Sequence, residues 1–434
     1  MNSSGQSRHS SRCVAAAAVL LVLAACSKRS GFNDGTDPPP PFVAPDASAV
    51  VPVECGLHCS RDLKQVLTGC EGAEQLVAQC NADQGCGNGA CVDACTATEL
   101  TKGSAGCDFW TVPPDSPNEG RGGCFAAMIA NTWDRAVTMS AEFGNGNFDI
   151  SKSTYTVSRQ NNDAVYSRLE GPLPPGQVAI VFFAHDDLNT EPRAARCPST
   201  VTPALLIDPT THGTGKTKAF HIKTDAPVSA YSIYPYGGAD SMVPTATLLL
   251  PVSSWTQNYV AVSPADFGET GRRRSLQIIA NQDDTEVRIR PTVEVAGGGG
   301  IAGATTGVVQ TWTLAKGEVL QFLQAALTGS PVETSKPVGM FGGSECTELP
   351  TPYCDTLQQQ IPPFAQWGTE YAVVPYQPRV ASFSSDVREQ VPYSIVGAVD
   401  GTTLTYEPAR PLNAPEKLGA GESASFMTDA IFVV

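Results

Sequence analysis

The sequence predicts an all-β protein: repeated antiparallel β-units, tandem β-sandwich-like or propeller-like, preceded by a small disulfide-rich module. Three observations point there. Gly (40) and Pro (34) are plentiful and charged residues make up only 16%; both break helices and punctuate strand-and-turn chains. One order of motifs recurs about every 110 residues: Pro337 lies 110 after Pro227, Trp367 lies 112 after Trp255, and Asp400 lies 117 after Asp283. Recurrence at a steady spacing marks an array of structural units. Finally, eight of the 14 cysteines crowd into residues 55–107.

The N-terminus reads as an export signal. Arg8 and Arg12 precede an apolar run, Val14–Ala25, too short to span a bilayer as a mature helix. The run ends in "LAAC", Leu23–Cys26, which resembles a bacterial lipobox. On that reading residues 1–25 are a lipoprotein signal peptide, and the Cys26 thiol carries an acylated glyceride of the palmitate type. The alternative is an ordinary signal cut elsewhere. Residues 26–52, with "GTDPPPPFVAPDASAVVP", form a semi-rigid tether. Residue 27 is Ser rather than Asp, which points to an outer-membrane or cell-surface protein, with the bacterial membrane as a partner. Losing Arg8 and Arg12, and no acid, takes the formal charge from −15 to −17. A chain this acidic does not suit nucleic acid.

Residues 53–107 form the cysteine-rich module, with Cys55, Cys59, Cys70, Cys80, Cys86, Cys91, Cys95 and Cys107. So small a unit buries little core, so cross-links supply part of its stability. Eight cysteines allow 105 pairings, which sequence does not resolve. A zinc site is disfavoured, because CxxC spacing is absent and His58 is the only nearby His.

Residues 108–434 read as short strands and turns. "RSLQIIANQDDTEVRIRP" (273–291) reads as a strand–turn–strand hairpin, and "VPYSIVGAVDGTTLTYEP" (391–408) repeats it with Asp-Gly at the turn. "FAAMIANTWDRAVTMSAEF" (125–143) is a looser version. Glycine-turned segments follow at 173–183, 314–323 and 418–427. Then comes a motif at Asp225–Ser232, at Lys336–Gly343 and, in fragment, at Asp429–Val434. Pro337 suits the first position of a strand, where no ladder donor is needed. "VEVAGGGGIAGATTG" (293–307) reads as a mobile loop tip, and residues 184–217 as an insertion carrying Cys197.

"SPVETSKPVGMFGGSECTELPTPYCDTLQQQIPPFAQWGTEYAVVP" (330–375) is similar to the IgGFc-binding protein N-terminal domain family. Lys336, Pro337, Val338, Gly343, Cys346, Cys354, Asp355, Pro362, Pro363, Trp367, Gly368 and Tyr371 carry the resemblance. "GCDFWTVPP" (106–114) and "LLLPVSSWTQNYVAVSP" extend it to about 107–434. Thr356 stands where that family often has His, so a role for that His does not transfer. The resemblance implies a binding or adhesion module for an unknown protein or glycan ligand.

No catalytic, cofactor or metal site is legible. HExxH and GxSxG are absent. "HDDLN" (185–189) and "NGNFD" (145–149) read as polar turns, and "RRR" (272–274) as a solvated strand flank. A catalytic thiol needs a base, and no His lies within 120 residues of Cys346 or Cys354. These two are expected to pair, leaving Cys124 for Cys197. The competing reading is a carbohydrate-active hydrolase on a propeller, which needs two acids from different repeats converging in one cleft about 5–10 Å apart. The C-terminal Ile431–Val434 reads as an apolar edge strand with unpaired backbone, implying a fragment or a covering partner.

Overall fold

The computed structural model describes residues 56–434, apart from 71, 118–119, 162, 190–194, 238–242, 266–272, 325, 349–353 and 379–387. The signal peptide, Cys26, the tether and Cys55 lie outside the described residues. Within them the chain is almost entirely β, in curled antiparallel sheets.

The cysteine-rich segment holds a meander of β1 (Leu57–Cys59), β2 (Gln65–Thr68) and β3 (Gln75–Gln79). A hairpin of β4 (Gln84–Gly87) and β5 (Ala90–Asp93) follows. Asn88 and Gly89 both have positive φ, the two-residue turn whose twist matches the flanking strands. Asp93 then caps α1 (Ala94–Thr101), accepting from the Thr96 amide. Only Val66, Cys80 and Cys86 form a local core. Disulfides take its place: Cys59–Cys86, Cys80–Cys91, and Cys95–Cys107, which ties α1 to the first strand beyond.

Two units with one wiring follow, and a third repeats part of it. The first contains β6 (Gly106–Thr111), β7 (Phe125–Ala130), β8 (Met139–Phe143), β9 (Gly146–Phe148), β10 (Thr154–Gln160), β11 (Asp163–Arg168), β12 (Val178–Ala184), β13 (Gly215–Lys218), β14 (Phe220–Tyr234) and β15 (Thr245–Leu249). The second contains β16 (Thr256–Val260), β17 (Arg274–Ala280), β18 (Thr285–Ile289), β19 (Gln310–Leu314), β20 (Glu318–Gln324), β21 (Pro331–Glu348) and β22 (Cys354–Gln360). The third contains β23 (Ala372–Val373), β24 (Val391–Val396), β25 (Thr402–Thr403), β26 (Lys417–Leu418), β27 (Ser423–Thr428) and β28 (Phe432–Val433).

The first unit has two layers, β6-β14-β8-β9 and β11-β10-β12-β7-β14-β15, and β14 belongs to both. The second repeats this as β16-β21-β18-β19 and β13-β20-β17-β21-β22. Side chains of the two layers meet, as where Phe183 of β12 stacks on Phe220 of β14 with ring centroids 4.7 Å apart. Two faced layers sharing a bent strand make a sandwich-like unit rather than a single-sheet blade.

The recurrent "TDAP/TSKP" motif is the bend of that shared strand. Thr224 Oγ1 donates to the Ala226 carbonyl at 2.8 Å, and Thr334 Oγ1 donates to the Lys336 carbonyl at 2.7 Å. Asp225 accepts from the Thr138 amide at 2.8 Å, and Ser335 accepts from the Glu286 amide at 2.9 Å. Each hydroxyl satisfies a carbonyl that the bend removes from the ladder, and the proline there has no N–H to orphan. Both bends thus hold one layer's strand to the other layer.

Four expectations need correction. Segments 125–143, 273–291 and 391–408 are not hairpins. β14 lies between β7 and β8, and β21 lies between β17 and β18; β24 pairs with β27, while β25 pairs with β26. The acidic turns therefore cross from layer to layer, and alternation alone cannot distinguish that from a hairpin. Ile431–Val434 is not an unpaired edge: β28 pairs with β23, Val433 bridges Glu407, and Tyr371 exchanges both backbone bonds with Val434. Asp429–Val434 therefore matches the half of the shared strand before the bend, not the bend itself. The Gly-rich stretch 293–307 is packed down, with Val295, Ile301 and Ala304 in the second unit's core and the Ala302 carbonyl accepting from Trp312 Nε1 at 3.1 Å.

Successive units meet at glycines. A Cβ at Gly317 would lie 2.2 Å from the Gly144 carbonyl oxygen, and a Cβ at Gly329 would lie 1.9 Å from the Gly421 carbonyl oxygen. A buried glutamine chain also joins the first two units. Gln358 Nε2 donates to Gln277 Oε1 at 2.7 Å, and Gln277 Nε2 donates to Gln321 Oε1 at 2.8 Å. Gln321 Nε2 reaches the Thr211 and Gly213 carbonyls, while the other two amides reach the carbonyls of Val112 and Pro113. Such a network rigidifies a junction when every member is satisfied.

Candidate functional site

The described cysteines sit where cross-links hold strands and loops. Cys124, fully buried before β7, is bonded to Cys197 across 73 residues and pins the 184–217 excursion to the first unit. Cys70 and Cys346 are also disulfide-bonded. The backbones of Glu348 and Cys354 face each other across β21 and β22, but the Cys354 side chain lies outside the described residues.

Two histidine–carboxylate clusters are the strongest chemical constellations, and both sit at the junction of the first two units. His221 on β14 lies between Asp108 of β6 and Glu142 of β8, 2.7 and 2.9 Å away, and stacks on Trp110 with centroids 4.0 Å apart. Lys316 of the second unit closes the cluster on Glu142 at 2.6 Å. Burial would raise the Glu142 pKa, but hydrogen bonds with His221 and Lys316 dominate and hold it at about 2. His221 is 2% exposed, and both its ring nitrogens are engaged.

His212 bridges Asp115 at 2.7 Å and Asp208 at 3.1 Å, and Asp115 also accepts from the Gly213 amide at 2.6 Å. Burial would lower the His212 pKa, but the two carboxylates outweigh it and raise it to about 9. Both clusters hold a strand or loop in place, and their groups face each other rather than open space.

Two stretches differ from their sequence reading, the polar turn at 185–189 and the arginine run at 272–274. His185 is buried beside Asp187 at 3.3 Å, and burial lowers its pKa. The arginine run is not a solvated flank. Arg273 makes a two-pronged pair with Glu345 at 2.8 and 2.6 Å, and Arg274 is 5% exposed, donating to the carbonyls of Pro264 and Ala265. The planar guanidinium fork suits such fixed acceptors. Arg272 lies outside the described residues. The "NGNFD" stretch forms β9 and its flanks, and Asp149 accepts from the Ser151 amide at 2.9 Å. Asp149 and Glu170 share an open depression with Met139, Phe148 and Leu169. Both acids belong to the first unit, so this is not the convergence of repeats that a propeller hydrolase would use.

The third unit carries a feature that sequence reasoning missed. Trp367 and Tyr371 repeat the local geometry of Trp255 and Tyr259. Trp255 Nε1 donates to the Leu250 carbonyl at 3.1 Å, and Trp367 Nε1 donates to the Pro362 carbonyl at 3.2 Å. The Thr256 and Gly368 amides donate to Tyr259 and Tyr371 at 3.4 and 2.8 Å. Yet Tyr259 is 1% exposed and Tyr371 is 48% exposed. The offset of 112 between the tryptophans marks the equivalence; only the strand pairing reveals the difference in burial.

Residues 245–434, from β15 to the end of the third unit, match the model of a family described as IgGFc binding protein. No curated protein and no solved structure matches the chain.

Proposed function

We propose, with that family match over the second and third units as the premise, that the protein is a surface lipoprotein acting as a binding or adhesion module without catalysis. The match is the observation that carries the reading. The packing supports it: the buried His, Gln and Arg groups described above hold strands, loops and unit junctions together. On this reading residues 26–52 hold the array away from a membrane that Cys26 enters through its lipid, on the outer membrane or cell surface. The ligand class is a protein or a glycan. The family's name speaks of IgG Fc, which makes an Fc fragment a natural first probe.

Two measurements test this. Cys26→Ser should move the protein from the membrane fraction to a soluble or unprocessed form; unchanged processing and membrane recovery would remove the anchor. The wild-type protein, tested on immobilised Fc and on a glycan array, should show saturable retention on at least one surface and release no reducing sugar. Turnover of any glycan would overturn the non-catalytic reading.

A further inference from the structure

We propose that the depression between the β8–β9 hairpin and the base of the β10–β11 hairpin is a binding site for a small amphiphilic cation, an apolar body of a few carbons that bears an amine or a guanidine. The inference goes beyond the binding reading above and does not depend on it, since the family match begins at residue 245 and the site lies within 138–172.

The site exists where the first unit departs from the second. In the second unit β19 runs into β20 through residues 315–317 alone. In the first unit their counterparts, β9 and β12, are separated by 149–177, which carry the β10–β11 hairpin. The Leu169 amide donates to the Thr154 carbonyl at 2.9 Å and closes the base of that hairpin, and Thr154 Oγ1 donates to the Ile150 carbonyl at 2.8 Å. Between this base and β8 lies an open depression of about 680 Å³, within the range of about 300–1,000 Å³ usual for small-ligand sites. The second unit builds the same two layers without the insertion, so the fold itself does not require it.

The lining states what fits. Ile150 and Ala141 are buried at its floor, and Met139, Phe148 and Leu169 make an apolar wall, half-buried against the first unit's core. Phe148 is held there by Phe220 and Phe143, with ring centroids 5.4 and 6.2 Å away, so the wall is formed before a ligand arrives. Two carboxylates, Asp149 and Glu170, stand on the exposed rim, and no lysine, arginine or histidine is among the lining residues. Asp149 accepts from the Ser151 amide, and that bond holds its pKa below the usual carboxylate range. Glu170 pairs at 3.0 Å with Arg168, which does not line the depression, but both side chains are exposed. Such a pair is too weak to withdraw the carboxylate from a second cation. The wall therefore calls for a hydrocarbon body and the rim for a positive charge. An anion would meet two like charges on a chain of net charge −15.

Hexylammonium is the probe, read by methyl-¹³C methionine NMR of the whole protein, since Met139 lines the site and Met340 is fully buried elsewhere. The Met139 signal, assigned by its loss in Met139→Leu, should move saturably while the Met340 signal stays. Hexanoate should bind roughly tenfold more weakly, and Asp149→Asn with Glu170→Gln should weaken hexylammonium roughly fivefold and leave hexanol unchanged. A capped leucyl-lysine dipeptide separates the two sources of this chemistry: tighter binding than hexylammonium assigns the site to a basic–apolar protein segment, weaker binding to a free amine. No saturable Met139 shift, equal affinity for hexanoate, or an unchanged double variant overturns the proposal. So does a Met139 signal that moves when residues 26–52 are deleted, because Lys28, Arg29 and Phe32 would then make the chain's own tether the occupant.

Discussion

Gly339 lies flat against the indole of Trp255, so that a Cβ at Gly339 would meet the ring at 2.5 Å. Trp255 is 4% exposed and its Nε1 is fixed on the Leu250 carbonyl, so the ring has little room to yield. Gly339→Ala should therefore cost roughly 1–3 kcal/mol in denaturant unfolding. Gly146→Ala, where the nearest atom is 3.7 Å away, should stay within about 0.5 kcal/mol. Equal effects would mean that the strand does not press on the tryptophan.

The Cys124–Cys197 bond closes a 73-residue separation. Loop-closure entropy predicts that replacing both cysteines by Ala costs about 4 kcal/mol. Limited proteolysis should cut within 184–217 first. A variant with unchanged unfolding and unchanged cleavage would show that the excursion is held by its other contacts.

Gln277 joins both of its glutamine neighbours. Gln277→Leu removes the acceptor of a Gln358 Nε2 hydrogen and the donor to Gln321 Oε1 and the Pro113 carbonyl, all in a buried place, which should cost about 1–3 kcal/mol for each group left unmet. Gln359→Leu, on the same strand, should change far less. Comparable losses from the two would remove the network's special role.

The histidine clusters predict a stability window. The His212 pKa rises from 6.5 to about 9 on folding, so its contribution is complete below about pH 6.5 and is lost as pH rises through about 9. The Glu142 pKa falls from 4.5 to about 2, so its contribution is complete above about pH 4.5 and is lost as pH falls toward 2. His212→Gln should flatten the alkaline limb of the melting temperature against pH and leave the acid limb alone. An unchanged alkaline limb would refute the assignment.

Part of this was legible in the sequence. Pro227 and Pro337, Trp255 and Trp367, and the glycine turns mark units by recurrence, and composition marks the class. Pairing was not legible. An alternating run such as 274–289 fixes which side chains face inward but not which strand lies alongside, because β21 inserts between β17 and β18 from about 50 residues further on. Burial of ions was missed for a related reason. Arg274 and His185 look like surface residues until a long-range carbonyl or a covering loop is in place. The difference in exposure between Tyr259 and Tyr371 was hidden because Trp255 and Trp367 carry the same local sequence signal, and sequence does not show the long-range strand that covers Trp255 and Tyr259.

Hydrogen–deuterium exchange of the whole protein tests the shared-strand architecture most directly. The account predicts slow exchange throughout 274–280, because β20 pairs with one edge of β17 and β21, inserted between β17 and β18, pairs with the other. Alternating fast exchange along 274–280 would show that β21 does not lie beside β17, and would contradict it.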